Sequence, residues 1–334
     1  MNSPGLQDNH LLNVRSLAIK IAHRKKEFTA VHGVSFSVKK GESLCLVGES
    51  GCGKSLTALA IMGLLPDPPI KISRGKILFK EQNLLNLSQE EMRHVRGSQI
   101  GMVFQEPMTS LNPVFTVGYQ IEEALAAHIS MSKRERKKAV LDIMAQVGLP
   151  RPSDLYNSYP HELSGGLRQR VMIAMALVCG PSLLIADEPT TALDVTIQAQ
   201  ILNLLQTLQE QKGLGLLLIT HNLGVVAQIA HRVLIMYAGR IVEDAPVNEL
   251  FEQPLHPYTI GLMESVPYGA DRRKKRLNSI PGNVPALDAV PPGCAFQDRC
   301  PKVMEICKKV VPELKKVRNG RLAACHLYTY TVSE

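Results

Sequence analysis

The sequence has no run of 18 or more uninterrupted apolar residues, so it does not predict a membrane-spanning helix. Its first ten residues, MNSPGLQDNH, lack the charged and then apolar pattern of a secretory signal peptide. We therefore expect the protein to be made and kept in the cytosol. The 334 residues are 45% hydrophobic, which is typical of a globular protein with a buried core and suggests roughly two or three domains.

Excess positive charge is nearly absent from the body of the chain and concentrated in its tail. Residues 265–334 carry 13 Lys or Arg against 6 Asp or Glu, whereas the preceding residues carry 25 against 24. A basic segment can bind nucleic acid or anionic lipid headgroups. The run RRKKR at residues 272–276 is equally well interpreted as a solvated linker.

Closely spaced cysteine pairs are also absent. Cys45, Cys52 and Cys179 are scattered through the body, and the other four cysteines follow the spacing C-x5-C-x6-C-x17-C in the tail. These four are Cys294, Cys300, Cys307 and Cys325. Disulfides are a poor default in a reducing cytosol, and zinc sites favour tighter pairs. Iron–sulfur clusters accept looser spacing, and Cys300 precedes a proline as in some ferredoxin runs. The spacing leaves a [4Fe-4S] cluster, zinc, and free or packed thiols open.

Two adjacent carboxylates follow a short apolar run at residues 183–188, LLIADE. The run predicts a buried parallel strand that presents Asp187 and Glu188 at its carboxyl end, where open α/β sheets place their ligand sites. One carboxylate could hold a magnesium ion while the next polarises a water molecule.

A glycine-rich motif, GESGCGKS, occupies residues 48–55 between a predicted strand and a predicted helix at 56–65. Glycines let the backbone amides curl towards phosphate oxygens. In this pattern Lys54 neutralises the β- and γ-phosphates, and Ser55 ligates magnesium. The alternative, a plain glycine-rich turn, is disfavoured by the flanking strand and helix.

The long stretch between these two motifs predicts a helical insert. Apolar residues recur every four positions from Val117 to Ile129, and Ser132 can cap a second helix that ends near Gly148. Gln105 ends a predicted strand just before the insert, where its side chain can reach a metal or a water molecule.

Three further polar positions follow buried elements. Ser164 can cap the helix after the insert, and Gly165 and Gly166 leave its first amides open to an anion. Asp194 lies in a polar turn before another predicted helix. His221 follows a predicted buried strand over 216–220; such a histidine is more often structural, but its position matches that of Asp187.

These motifs, in this order, resemble the ATP-binding subunit of an ABC transporter over about residues 10–265. In that family's terms, residues 48–55 resemble the Walker A loop, Gln105 the Q-loop and 163–166 the signature. Residues 183–188 resemble the Walker B strand with its glutamate, 192–194 the D-loop, and His221 the switch histidine.

The resemblance implies an α/β fold: a P-loop, RecA-like ABC ATPase core with an antiparallel β-subdomain and an inserted helical subdomain, plus a small cysteine-rich C-terminal extension. The expected core with its N-terminal β-subdomain comprises residues 1–95 and 165–265. The Q-loop and helical subdomain, ending at the signature motif, comprises residues 96–164. The extension comprises residues 266–334.

The resemblance also implies the roles of the site residues. Two subunits close head to tail around ATP, with Glu188, His221 and Gln105 as catalytic residues and with Ser55, Gln105 and Asp187 as Mg²⁺ ligands. The chemistry is chiefly positioning and charge stabilisation. The implied nucleotide-binding residues are Gly48, Glu49, Ser50, Gly51, Cys52, Gly53, Lys54, Ser55, Leu56, Ser164, Gly165, Gly166 and Asp194.

The tail narrows the resemblance. Residues 255–259 (LHPYT), 280–282 (IPG) and 291–294 (PPGC) resemble the C-terminal extension of oligopeptide and dipeptide importer ATPases. This implies a peripheral subunit on the cytoplasmic face of a bacterial inner membrane. Its expected partners are a second homologous ATPase subunit, identical or paralogous, two permeases and an extracytoplasmic peptide-binding protein.

The narrower resemblance also bears on the tail chemistry. Together with the looser spacing, it leads us to predict a [4Fe-4S] cluster on the four tail cysteines. The basic tail could contact anionic lipid, and we expect no nucleic acid partner. Import of nickel or an antimicrobial peptide, or a soluble ABC-type ATPase acting on nucleic acid, are the alternatives.

Overall fold

The computed structural model describes residues 10–24, 26–105, 110–191, 193–265, 280–318 and 320–328. The chain divides into two compact units. The first comprises the described residues within 1–13, 37–43 and 78–218, and the second comprises those within 14–36, 44–77 and 219–334. The basic run at 272–276 and position 192 of the D-loop lie outside the described residues.

The described residues form strands and helices throughout both units. The strands are β1 (His10–His23), β2 (Lys26–Lys39), β3 (Ser43–Val47), β4 (Ile70–Phe79), β5 (Gln82–Asn83), β6 (Ile100–Val103), β7 (Leu183–Asp187), β8 (Gly215–Thr220), β9 (Arg232–Tyr237), β10 (Arg240–Pro246), β11 (Lys315–Arg318) and β12 (Arg321–Ala323). The α-helices are α1 (Lys54–Ile61), α2 (Gln89–Val95), α3 (Val117–Ala126), α4 (Lys133–Gln146), α5 (Pro152–Leu155), α6 (Gly165–Leu177), α7 (Val195–Lys212), α8 (Leu223–Ile229), α9 (Val247–Glu252), α10 (Pro257–Glu264) and α11 (Glu305–Lys309). Among these, no helix has the length and apolar character needed to cross a membrane.

The first unit carries the strand that ends in Asp187. β7 runs parallel to β6, with Ile100 opposite Leu183 and Val103 opposite Ala186. All five residues of β7 are buried, as expected for a strand covered on both faces. The predicted buried parallel strand is confirmed, and the residues that follow β6 and β7 lie at one edge of the sheet.

Helices α3, α4 and α6 pack against one another in the first unit. The hydroxyl of Ser132 accepts a hydrogen bond from the Glu135 amide at 3.3 Å, and the Glu135 carboxylate accepts one from the Ser132 amide at 2.9 Å. This reciprocal cap begins α4, and Gly148, with φ 72°, lies just beyond its end. The two predicted helices are confirmed, except that α3 ends before Ile129.

The second unit contains strands in the order β11-β12-β10-β9-β3. β3 is parallel to β9, whereas β9, β10, β12 and β11 are successively antiparallel. The β9–β10 hairpin turns at Ala238 and Gly239, with φ 42° and 76°. Because β12 pairs with β10, the C-terminal residues continue the same run of strands as β3. Strands β2, β1 and β4 also lie side by side, and most of their residues belong to this unit.

A buried ion pair fastens β12 to β10. Nη2 of Arg321 lies 3.3 Å from Oε1 of Glu243, and their side chains are 4% and 0% exposed. The Glu243 carboxylate also accepts hydrogen bonds from the backbone amides of Leu255 and His256, at 2.9 and 2.8 Å. Glu243 therefore joins the C-terminal hairpin to the segment that begins α10.

Candidate nucleotide site

The glycine-rich loop connects β3 to α1 in the second unit. A Cβ atom at Gly48 would lie 2.2 Å from the backbone oxygen of Met236, a separation that real structures do not show. At Gly53 it would lie 2.9 Å from the terminal methyl of Met236, and the φ of Gly53 is +104°. Gly48 is therefore required for space, because backbone blocks a side chain there, and Gly53 is required for its backbone conformation.

Lys54 begins α1 and folds back onto the loop. Its ammonium group donates to the carbonyl oxygens of Gly48 at 2.8 Å and Glu49 at 3.0 Å. The residue is only 5% exposed, so these bonds satisfy a charge that burial would otherwise penalise. The structure thus holds the Lys54 ammonium inside the curve of the loop, as a phosphate-binding loop requires. Ser55 and Leu56 follow in the first turn of α1.

Glu49 is held at its side chain and at its backbone. Its carboxylate accepts two hydrogen bonds from the guanidinium of Arg299, at 3.0 and 3.2 Å. Its amide donates to the hydroxyl of Tyr258 at 3.0 Å. Arg299 and Tyr258 both lie in the second unit but far from the loop in sequence, so the loop is fixed by residues outside its own motif.

Glu188 and Gln105 meet at the strand edge of the first unit. Oε2 of Glu188 accepts a hydrogen bond from the Gln105 side-chain amide at 3.2 Å and another from the Thr191 hydroxyl at 2.9 Å. The φ of Glu188 is +46°, a conformation uncommon for non-glycine residues and concentrated at functional turns. Asp187, the last residue of β7, is 5% exposed. The two strand-end side chains are thus in direct contact, whereas their roles stay predictions.

The proposed signature residues also lie in the first unit. The hydroxyl of Ser164 accepts a hydrogen bond from the Leu167 amide at 3.5 Å and begins α6. A Cβ atom at Gly166 would lie 2.7 Å from Cγ2 of Ile197, near the start of α7. That helix is capped by Asp194, whose carboxylate accepts from the Ile197 amide at 3.0 Å. Gly166 and the first turn of α7 are therefore in close contact.

His221 lies in the second unit, directly after β8. It is exposed, and the residues beside it are fixed by local hydrogen bonds. The Asn222 amide donates to the Thr220 hydroxyl at 3.0 Å, and the Asn222 side chain accepts from the Gly224 amide at 2.9 Å to cap α8. The predicted position of His221 at the end of a buried strand is confirmed, whereas its role stays a prediction.

Comparison with known proteins decides the family. Residues 31–191 match the family described as ABC transporter, and residues 242–307 match the C-terminal region of oligopeptide/dipeptide transporters. The chain is 49% identical over 318 residues to the oligopeptide transport ATP-binding protein AppD of Bacillus subtilis, covering 95% of this chain and 97% of that protein. The chain belongs to the family of ABC transporter ATP-binding proteins. It is also 48% identical over 316 residues to the dipeptide transport ATP-binding protein DppD of Escherichia coli, with coverage of 95% and 96%.

Solved structures of ABC cassettes resemble this chain. The dimeric cassette MJ0796 in a post-hydrolysis state, bound to ADP and Pi, aligns with a TM-score of 0.63 and 28% identity, covering 71% of this chain and 98% of that one. The cassette cbiO1 from Clostridium perfringens aligns with a TM-score of 0.64 and 29% identity, covering 74% of this chain and 92% of that one. The predicted α/β ABC ATPase fold and the predicted ATP hydrolysis are confirmed for this ABC ATP-binding protein.

The predicted iron–sulfur cluster is contradicted by the structure. Within the residues that the structure describes, no group of three or more His, Cys, Asp or Glu side chains could hold a metal ion. Burial raises the pKa of Cys294 and Cys325 to about 11 and also raises the pKa of Cys300. In the metal-free chain these thiols therefore favour the protonated form. All seven cysteines lie within the described residues and are free thiols, and Cys307 is packed and 7% exposed.

Sequence reasoning missed three residues that contact the site. Tyr258 lies in the LHPYT segment. That segment indicated the subfamily, but nothing in it predicted that the Tyr258 hydroxyl contacts Glu49. Thr191 follows Glu188 by three positions, so the turn after the strand was a local signal for it. Arg299 is 250 positions from Glu49, and nothing local in the sequence predicts their pairing.

Proposed function

We propose that this chain is the ATP-hydrolysing subunit of an importer of di- or oligopeptides across the cytoplasmic membrane. The observation that carries the proposal is the match of residues 242–307 to the oligopeptide/dipeptide transporter C-terminal region in the same chain as an ABC ATPase. Relatives that are 48–51% identical to this chain over 90–95% of its length are named as oligopeptide and dipeptide transport ATP-binding proteins. No described feature favours nickel, antimicrobial peptides or nucleic acid instead.

The proposed machine contains several subunits. This chain pairs with a second ATPase subunit, more readily a paralogue than an identical copy, and the pair works on two transmembrane permeases. An extracytoplasmic binding protein delivers the peptide, and the basic tail contacts anionic lipid. The chain then lies on the cytoplasmic face of a bacterial inner membrane as a peripheral protein.

The proposed chemistry assigns distinct tasks to the site residues. Glu188 positions or deprotonates the attacking water, oriented by its hydrogen bond from Gln105. Lys54 and the loop amides bind the β- and γ-phosphates, and His221 contacts the γ-phosphate. Such catalysis consists mainly of placing positive charges and hydrogen-bond donors beside the negative charge that develops on the phosphoryl group in the transition state.

Mg²⁺ is the metal implied by this chemistry. The proposed ligands are the Ser55 hydroxyl, the Asp187 carboxylate and the Gln105 amide oxygen, a set of hard oxygen donors that suits Mg²⁺. The Gln105 bond to Glu188 uses the amide nitrogen and so directs the oxygen elsewhere. Bound with ATP, Mg²⁺ would neutralise charge on the β- and γ-phosphates.

The proposed active unit is a pair of chains closed head to tail. Ser164, Gly165 and Gly166 of one subunit then bind the γ-phosphate held by the glycine-rich loop of the other, through the open amides at the start of α6. Asp194 lies at the start of the adjacent helix. A single chain should therefore bind ATP yet hydrolyse it poorly.

Uptake in a strain deleted for this gene tests the proposal. A plasmid that carries the wild-type gene should restore uptake of a radiolabelled dipeptide or oligopeptide, and one that carries Glu188→Gln should not. The protein should fractionate with membranes together with two permeases. Restored uptake of nickel instead of peptide, or ATPase activity stimulated by RNA or DNA in a membrane-free preparation, would refute it.

A further inference from the structure

Arg299 and Glu49 form a two-pronged ion pair inside the second unit. Nη1 of Arg299 lies 3.0 Å from Oε2 of Glu49, and Nη2 lies 3.2 Å from Oε1. The Arg299 side chain is 7% exposed and that of Glu49 is 29% exposed. A parallel pair of this kind fixes direction as well as charge, unlike a single exposed ion pair.

The guanidinium of Arg299 is oriented by contacts that do not involve Glu49. Its Nε donates to the carbonyl oxygen of Pro281 at 2.9 Å, and Nη1 also donates to the Tyr237 hydroxyl at 3.4 Å. The rings of Tyr237 and Phe296 lie 5.8 and 5.9 Å from its Cζ atom. Because these partners already hold it, Arg299 presents its fork to Glu49 in one orientation.

Glu49 transmits that restraint to the loop. Its amide is bonded to the Tyr258 hydroxyl at 3.0 Å, and its carbonyl oxygen accepts from the Lys54 ammonium at 3.0 Å. Side chain, amide and carbonyl of one residue are thus fixed by three partners. A shift of the Glu49 side chain would move the carbonyl that helps hold Lys54.

Arg299 also neutralises the negative charge of Glu49. Glu49 is the second residue of a loop that is proposed to bind phosphates, and an unpaired carboxylate there would repel them. The Arg299 guanidinium offsets that charge through hydrogen bonds that are themselves largely shielded from water. The pair therefore supports phosphate binding both by geometry and by neutralisation.

We propose that Arg299 is a positioning residue of the glycine-rich loop, so that the C-terminal extension helps set the affinity for ATP. The proposal rests on the proposed function of residues 48–55 as the phosphate loop. Arg299 acts through Glu49 and need not touch the nucleotide. The extension is then part of the nucleotide site as well as a mark of the transporter subfamily.

Calorimetric titration of the full-length chain with Mg-ATP tests this. Arg299→Ala should weaken ATP binding about tenfold, which corresponds to about 1.4 kcal/mol. The double variant Arg299→Ala, Glu49→Gln should recover part of the loss, to about threefold weaker than wild type, because no unpaired carboxylate remains. A purely structural role for Arg299 predicts no such recovery. In the assembled ATPase, Arg299→Ala should raise KM for ATP while changing kcat less than about twofold.

Arg232→Ala is the matched control. Arg232 pairs with Asp244 by two bonds of 2.7 and 2.8 Å in the same unit, away from the loop. The Arg232→Ala variant should have a lower melting temperature than wild type, but its Kd for ATP should stay within about twofold of the wild-type value. If Arg299→Ala is unfolded, Arg299→Lys carries the test, since it keeps the charge but loses the fork, and should weaken binding about threefold.

The outcomes separate the two proposals. If wild-type protein binds ATP and folded Arg299 variants bind it equally well, the positioning role is wrong and the proposed function stands. If wild-type protein does not bind Mg-ATP at all, both are wrong. Weaker binding confined to the Arg299 variants, with recovery in the double variant, supports the positioning role.

Discussion

The side-chain amide of Gln105 donates a 3.2 Å hydrogen bond to Oε2 of Glu188. The two residues follow the carboxyl ends of the parallel strands β6 and β7 and are 83 positions apart in sequence. The carboxylate is therefore oriented by a residue that lies at the border of the helical insert. This geometry couples the proposed base to the segment from which the insert begins.

Glu188→Gln should retain ATP binding and lose turnover. A neutral amide cannot accept the proton of the attacking water, and loss of a general base typically lowers rates by about 100-fold or more. Phosphate release at saturating ATP measures the loss, and gel filtration with ATP should show a trapped closed dimer. Glu210→Gln, at an exposed carboxyl on α7, is the control and should keep normal turnover. Near-normal turnover in Glu188→Gln would show that the assignment of the base is wrong.

Thr191 should tune the same carboxylate. Its hydroxyl lies 2.9 Å from Oε2 of Glu188. Thr191→Val removes that donor at nearly constant volume, and we expect kcat to fall about three- to tenfold because a hydrogen bond to a charged group is lost. Thr191→Ser keeps the hydroxyl and should retain near-wild-type kcat. Steady-state ATPase assays of the two variants compare them directly, and equal rates would argue against a role for this bond.

Local patterns predicted the parts of the site that depend on neighbouring residues. The glycine-rich loop, the capped start of α4 and the buried strand before Asp187 follow from spacing and hydrophobic pattern, and the structure has them. The Arg299–Glu49 pair could not be predicted, because it depends on how the tail folds back onto the loop. Cysteine spacing likewise gives no side-chain geometry, and together with the subfamily resemblance it led to a predicted cluster that the structure contradicts. The domain boundaries expected at 95, 164 and 265 stay predictions.

Gly48→Ala should damage the loop more than Gly51→Ala. A Cβ atom at Gly48 would overlap the Met236 carbonyl at 2.2 Å, and backbone cannot move away cheaply. At Gly51 no atom lies within 4 Å of the added Cβ, so the substitution meets only the strain of φ +79°, about 1 kcal/mol. ATP titration and thermal melts should show loss of binding for Gly48→Ala and weak effects for Gly51→Ala. The reverse order would contradict the described loop geometry.

Removing one partner of the buried Arg321–Glu243 pair should destabilise the second unit. Arg321→Met leaves the fully buried Glu243 carboxylate without the guanidinium, and such a break typically lowers the free energy of unfolding by about 3–5 kcal/mol. The double variant Arg321→Met, Glu243→Gln removes the unpaired charge and should be more stable than the single one. Denaturant unfolding measures both, and additive losses would contradict the pairing.

His256 makes stability fall as the pH is lowered. Its side chain is buried, its Nδ1 accepts the Tyr258 amide at 3.0 Å, and burial lowers its pKa to about 3. The unfolded chain takes up a proton near the ordinary histidine pKa of about 6.5, while the folded chain stays neutral. The contribution of neutral His256 to the free energy of unfolding is therefore complete above about pH 6.5. It is lost as the pH falls towards 3, by about 1.4 kcal/mol per pH unit.

His256→Asn isolates that contribution. Asparagine does not titrate, and its side-chain oxygen can still cap α10 by accepting the Tyr258 amide. Denaturant unfolding at about pH 6.5 and about pH 5.5 should show a loss of stability roughly 1 kcal/mol larger in the wild type than in the variant. Other titrating groups, including His32, whose pKa burial lowers to about 4, are present in both proteins and cancel in the comparison. Equal losses in the two proteins would mean that His256 takes up its proton in the folded state as readily as in the unfolded chain.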